Sequence, residues 1–168
     1  MPKSTAKVAN RNDLKDNAKQ TSIGVLSACL TDSIDLYNTT RHAHWNVKGP
    51  HFHALHIMLE EFYGTLEKDI DEVAERLVQL GGTAMGTSQS VAGSTRLPPY
   101  PADINAGMDH LNALLDRYSA VAKAVREGID ETDEAGDADT ADLLTAVSRN
   151  IDKAVWMMEA TATPTGER

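Results

Sequence analysis

The chain has 168 residues, 41% hydrophobic and 24% charged, which is enough apolar material for one domain core and too much for a disordered chain. No apolar run approaches the roughly 20 residues of a membrane-spanning helix, and the polar first 20 residues lack the apolar stretch of a secretory signal. Net charge is −9 but unevenly spread: residues 1–20 carry five Lys/Arg and two Asp (+3), the remainder eleven Lys/Arg and 23 Asp/Glu (−12). An acidic body attracts cations and repels nucleic acid, so DNA suits only the basic arm with Lys3, Lys7, Arg11, Lys15 and Lys19. A single cysteine, Cys29, excludes an intrachain disulfide and points to a reducing cytoplasm. It lies among Leu26, Leu30 and Ile34 and reads as a small core residue.

Residues 1–20 read as a flexible arm, 21–161 as a helical domain and 162–168 as a short tail. The first helix is expected from Thr21 to Asn46, with Ile23, Leu26, Leu30, Tyr37 and His44 in one heptad register and Ser33 and Thr40 filling the gaps. Lys48-Gly49-Pro50 breaks the chain, so the next helix is an antiparallel neighbour. That helix is expected from His53 to Leu80 on the stripe Leu55, Leu59, Phe62, Leu66, Ile70, Val73, Leu77 and Leu80, and Gly81-Gly82 ends it. Residues 81–102 form a long crossover, rich in glycine and proline, with room for a short helix of its own. A third helix reads from Ile104 to Ile129, an acidic loop follows, and a fourth reads from Thr140 to Ala160. Four amphipathic helices with one long crossover make an all-α four-helix bundle, the ferritin-like arrangement being one form.

Five of the six histidines (His42, His44, His51, His53 and His56) crowd around the corner between helices one and two. At about 100° per residue, with His56 at zero, Glu67, Glu60, Asp71 and Glu75 fall within about 100° on one face of helix two, opposite the apolar stripe. His56–Glu60 and Asp71–Glu75 are both i,i+4 pairs, each able to close on one cation. Imidazole with carboxylate suits iron(II), manganese or zinc, and because no cysteine joins this set a thiolate zinc site is excluded. A plain solvated acidic face is the competing reading. His56 and Asp71 lie fifteen residues apart, roughly 22 Å along a helix, so one ion cannot bind both in one chain. No Glu-x-x-His motif is present. Either two half-sites exist, or a second copy completes each one. Two antiparallel copies of helix two across a two-fold axis bring the pairs together twice, and the spacing favours that arrangement.

The segments Ala43-His44-Trp45-Asn46, Leu55-His56-Ile57-Met58-Leu59-Glu60 and Asp71-Glu72-Val73-Ala74-Glu75-Arg76-Leu77 resemble the Dps proteins, the mini-ferritins that protect DNA in starved bacteria. The likeness continues through Gln79-Leu80-Gly81-Gly82, Tyr100-Pro101, Asp109-His110-Leu111, Thr140-Ala141-Asp142 and Ser148-Arg149-Asn150-Ile151-Asp152-Lys153 to Trp156, and covers roughly 21–160. It implies a ferritin-like fold, a shell of twelve subunits and di-iron ferroxidase sites at two-fold interfaces. His44, His56 and Glu60 would come from one chain, Asp71 and Glu75 from its partner. The family often has aspartate where this chain has Glu60. By the same resemblance, hydrogen peroxide is the preferred oxidant of Fe(II), and ferric mineral is stored inside. Trp45 packs at the interface or quenches a stray oxidising equivalent. Residues 127–142 hold eight acids and no base. They are a solvated loop or, as in the family, an acidic ion inlet at a three-fold axis, with Asp142, Asp137 and Asp139 as its candidates. His42, His51, His53 and His110 match no ligand position and read as surface or interface residues.

Two other classes compete. One is a nucleoid protein whose basic arm binds DNA phosphates without sequence preference, with iron chemistry secondary. The other is a structural dimer bridged by zinc in place of iron.

Overall fold

In the computed structural model, which describes residues 10–163, the chain forms α1 (Asp16–Asn46), α2 (Phe52–Gln79), α3 (Ser88–Ser94), α4 (Gly107–Ala135) and α5 (Ala138–Ala162). This is an all-α, ferritin-like four-helix bundle, with the short α3 inside the crossover between α2 and α4. Among the described residues there is no strand, and no helix is long and apolar enough to cross a membrane.

The α2 stripe packs as its spacing predicts: Leu55, Leu59, Phe62, Leu66, Val73, Leu77 and Leu80 are buried and Ile70 lies against them. Gly81 takes φ +93°, and the Gly81 and Gly82 amides donate to the Val78 and Leu77 carbonyls. That pair of bonds satisfies two orphan carbonyls and stops the helix. On α1 the register is less apolar because Ser33 and Thr40 are buried in it. The Thr40 hydroxyl donates to the Leu36 carbonyl (2.7 Å) and lies 3.1 Å from the Tyr118 hydroxyl, so this polar core position is satisfied.

The crossover returns the chain to the end where α2 began. The Gly107 amide donates to the Lys48 carbonyl (3.0 Å), which fixes the start of α4 beside the α1–α2 corner and makes α2 and α4 parallel. A Cβ at Gly107 would stand 2.5 Å from a Leu55 methyl and 3.3 Å from the Lys48 carbonyl, so any larger residue would have to displace the buried Leu55 side chain. Two carboxylates of α1 hold the crossover: buried Asp32 pairs with Arg96 (2.7 Å), and Asp35 accepts from Thr95 (2.7 Å) and pairs with Arg117 (2.9 Å).

Two boundaries and the burial of one residue differ from expectation. Helix α1 begins at Asp16, five residues before Thr21, because Ala18 is buried and Ser22 is fully buried against Asp137. The acidic stretch after Ile129 is helix rather than loop: α4 runs on to Ala135, since Thr132 is buried on its inner face, and turns only at Gly136 (φ +91°). His110 is fully buried rather than at the surface, with its Nδ1 2.8 Å from the Tyr100 hydroxyl. Cys29 is buried as expected, and burial pushes its thiol up to about 11.

Asp69 is an anomaly on the α2–α5 seam. It is 7% exposed and accepts one bond from Asn150 (2.9 Å), while its Oδ2 has no partner. Burial raises its pKa to about 6. A carboxyl raised in the folded state destabilises the fold when ionised, so stability falls as pH rises from about 4 to about 6 and stays low above. Asp69→Asn is expected to remove that slope and to stabilise the protein at pH 7.5 by about 1–3 kcal/mol. Denaturant titrations at pH 4 and 7.5 measure it; equal stability of both proteins at pH 7.5 would refute the buried charge.

Candidate metal centre

His44 lies in the last turn of α1 and His56 in the second turn of α2, on either side of the tight connection at Lys48–His51. Val47 is buried and anchors that connection, so the two helices meet at a fixed corner. The imidazoles stack at 3.7 Å with an 18° tilt. Each is held by the other's backbone: His44 Nδ1 donates to the His56 carbonyl and His56 Nδ1 to the His44 carbonyl, both at 2.8 Å. A carbonyl only accepts, so both Nδ1 atoms carry the proton and both Nε2 lone pairs are left for a metal. Such a carbonyl behind the ring is the usual outer partner of a metal-ligating histidine.

Glu60, Asp71 and Glu75 are all exposed on α2. Ile57 (41% exposed) and Val78 (56%) share their face of the helix by the 100° rule. Among the described residues, no three His, Cys, Asp or Glu side chains of one chain converge on a metal position. The candidate donors fall into two separated groups: His44, His56 and Glu60 at one end of α2, and Asp71 with Glu75 near the other.

Around the histidine half stands a group that sequence reading missed. The Arg41 guanidinium lies 5.3, 5.0 and 5.7 Å from the ring centroids of Tyr37, Trp45 and Tyr63. The Tyr63 ring meets His44 edge-on at 5.3 Å, and its hydroxyl lies 3.5 Å from a Glu60 oxygen. Burial, followed by the Glu60 charge, raises the Tyr63 phenol above its ordinary value. The signal was the i,i+4 series Tyr37, Arg41, Trp45, together with Glu60–Tyr63 at i,i+3. Trp45 is 64% exposed, so within one chain it is not a core residue.

Residues 23–164 match the ferritin-like domain family model. The DNA protection during starvation protein of Agrobacterium fabrum is 51% identical over 150 residues, which cover 89% of this chain and 93% of that protein. The chain belongs to the Dps family. Among solved structures, DpsC from Streptomyces coelicolor superposes with a TM-score of 0.90 at 28% identity, covering 95% of this chain and 94% of that one. A Dps protein from Vibrio cholerae, described as a member of a broad superfamily of ferritin-like diiron-carboxylate proteins, gives 0.86 at 29% identity over 95% of this chain and all of that one.

The other candidates in this Dps chain separate on burial. Asp137 is 1% exposed and is no inlet residue: it caps α5 by accepting from the Thr140 amide (3.1 Å) and pairs with Arg76 at 2.7 Å. Asp139 and Asp142 are exposed on the first turns of α5 and stay available to cations. Of the arm, Lys3 and Lys7 lie outside the described residues. Lys15 is the N-cap of α1, and Lys19 lies within α1 with its ammonium on the Asn12 carbonyl, so neither belongs to a free arm. Asn10, which precedes Arg11, is tied to the Gln79 carbonyl (3.0 Å).

Proposed function

We propose that this Dps chain oxidises Fe(II) with hydrogen peroxide at sites shared by two copies, and stores the ferric product inside a shell of twelve. The reciprocal histidine bonds carry this reading, because they leave two adjacent Nε2 donors on the Glu60 side of the corner with no completed metal cluster among the described residues. Fe(II) is the substrate, and the donor set fits it: imidazole nitrogens with carboxylates suit a divalent ion of intermediate softness. Asp71 and Glu75 of a second copy supply the missing anionic donors. Two Fe(II) held together give two electrons to one peroxide; with two protons this yields two waters and two Fe(III), and no hydroxyl radical escapes. Tyr63 and Arg41 position Glu60 and the histidine pair. Asp139 and Asp142 are the inlet carboxylates. Trp45 lies at the shared interface.

Complementation tests the sharing. His44→Ala/His56→Ala chains and Asp71→Ala/Glu75→Ala chains are each inactive alone. Co-assembled one to one, half of the two-fold pairs are mixed, and each mixed pair regains one of its two sites, so about a quarter of the activity returns. Sites contained within one chain regain none. Assembly is read by sizing, where twelve chains of 18.2 kDa elute near about 218 kDa. A zinc-bridged dimer would instead elute as a dimer and fall apart when His44 and His56 are lost.

Direct DNA binding rests on the N-terminal lysines. Residues 1–9 hold Lys3 and Lys7 and no acid. Twelve such segments gain by multivalency what one lacks. Lys3→Ala/Lys7→Ala is expected to abolish gel retardation of DNA while leaving iron oxidation unchanged, and raising salt from about 50 to about 200 mM should release DNA from the parent protein. Retardation by the double variant equal to that of the parent would remove the arm from the account.

A further inference from the structure

The unpaired carboxylate of Asp69 borders a cavity of about 110 Å³ between α2 and α5. Phe62, Leu66 and Tyr118 are among its walls, Asn150 stands beside Asp69, and exposed Lys153 also borders it. A single water needs only about 10–15 Å³ of such space, so a partly hydrated ion fits. A buried anion with one free oxygen is costly unless something positive meets it. Among the described residues no basic side chain does: Lys153 makes no ion pair with Asp69, and the Asn150 amide nitrogen serves the other oxygen. The packing of the fold gives no reason for the charge, since asparagine would fill the same volume. Asp69 is also separate from the histidine–carboxylate face. It lies two residues before Asp71, about 200° around the helix, and so faces the bundle where Asp71 faces outward.

We propose that this cavity is a second divalent-cation site, contained within each chain, with Asp69 as its charged ligand and water in the remaining positions. Oxygen-bearing side chains line it: buried Asp69, exposed Glu61 and Thr65, and Asn150, whose amide nitrogen is already committed to Asp69. Oxygen donors with retained water suit hard ions such as manganese(II) or magnesium. One buried carboxylate, with Glu61 only at the exposed rim, places the affinity in the weak range, with a dissociation constant of about 0.1–1 mM.

Manganese(II) is the probe, followed through the electron paramagnetic resonance of the free ion. The assembled protein carries His56→Ala and Asp71→Ala, so that both halves of the shared site are lost. About one Mn(II) per chain is expected to remain. Asp69→Asn in this background should weaken its binding at least about tenfold, Lys153→Ala should tighten it several-fold, and magnesium should compete. Asp69→Asn keeps the side-chain volume, and its helicity and elution volume verify the fold. Mn(II) binding unchanged by Asp69→Asn, or no binding at about 1 mM, overturns the proposal. Competition by ammonium or a diamine but not by magnesium overturns it too, and assigns the cavity to an organic cation. Because the shared site is absent throughout, failure here leaves the intersubunit reading standing.

Discussion

Replacement of both His44 and His56 by alanine is expected to lower the rate of peroxide-driven iron(II) oxidation by about 100-fold or more. The magnitude follows from the roles of the two rings. Loss of a mere outer partner of a metal ligand costs about 10- to 100-fold, and here two ligands go at once. The structural cost is smaller. His44 is buried and His56 half-buried, and their loss frees two carbonyls at helix ends that water can reach through the space the rings vacate. Helicity and particle size should therefore persist. Single replacements sharpen the test, because each ring is oriented by the other's backbone and not by the other's side chain. Either single variant should keep the remaining ring in place and lose activity to nearly the same degree as the double. Stopped-flow absorbance of ferric iron measures it. Oxidation within a few-fold of the parent in the double variant would remove this corner from the chemistry.

The largest loss of stability is expected from Arg76→Ala. Arg76 is 9% exposed and pairs at 2.7 Å with Asp137, which is 1% exposed. Its Nε donates to the Thr140 hydroxyl (3.0 Å), and Asp137 Oδ2 accepts from Ser22 (2.7 Å) and Thr140 (2.6 Å). Side chains from α1, α2 and the start of α5 meet in this cluster at the end opposite the histidine corner. Breaking one side of a buried pair leaves an uncompensated charge and costs about 3–5 kcal/mol. Thermal unfolding should drop by about 10 °C for a chain of this size. Arg76→Met with Asp137→Asn should recover most of that loss: asparagine still caps the helix, and no charge is left alone. Burial alone would raise the Asp137 carboxyl, but the bonds from Thr140 and Ser22 and the Arg76 charge together hold it below its ordinary value. A depressed carboxyl stabilises the fold at neutral pH and loses that contribution as pH falls below about 4. Acid unfolding of the parent should therefore begin in that range, and Arg76→Ala should show a shallower acid dependence there.

Much of the bundle was legible because its signals are local. The spacing of apolar residues on α2 and the Gly81-Gly82 stop require no knowledge of the rest of the fold. The separation of His56 from Asp71 is a length along one helix, and it argued for a shared site before any neighbour was known. The start of α1 was illegible because Ala18 and Ser22 are weak apolar signals, and their burial depends on Asp137, 115 residues away from Ser22. Asp137 itself reads as one acid in a run of acids; only the return of Arg76 from another helix distinguishes it. The acidic stretch beyond Ile129 misled for a related reason, since charge run and loop look alike when the buried face is a single threonine. Tyr63 and Arg41 escaped because aromatic and basic residues on a helix are ordinary until the second helix is placed beside them.

Cys29 bears on how long such a molecule lasts in contact with its oxidant. Peroxide attacks the thiolate, and burial, which pushes this thiol up to about 11, leaves far less of that form near neutral pH than an ordinary cysteine holds. Burial removes access as well. The single cysteine is thus slow to react with peroxide and is not placed to cross-link one chain to another. Resistance of the chain to oxidation at its one thiol is a property of how α1 packs into the core.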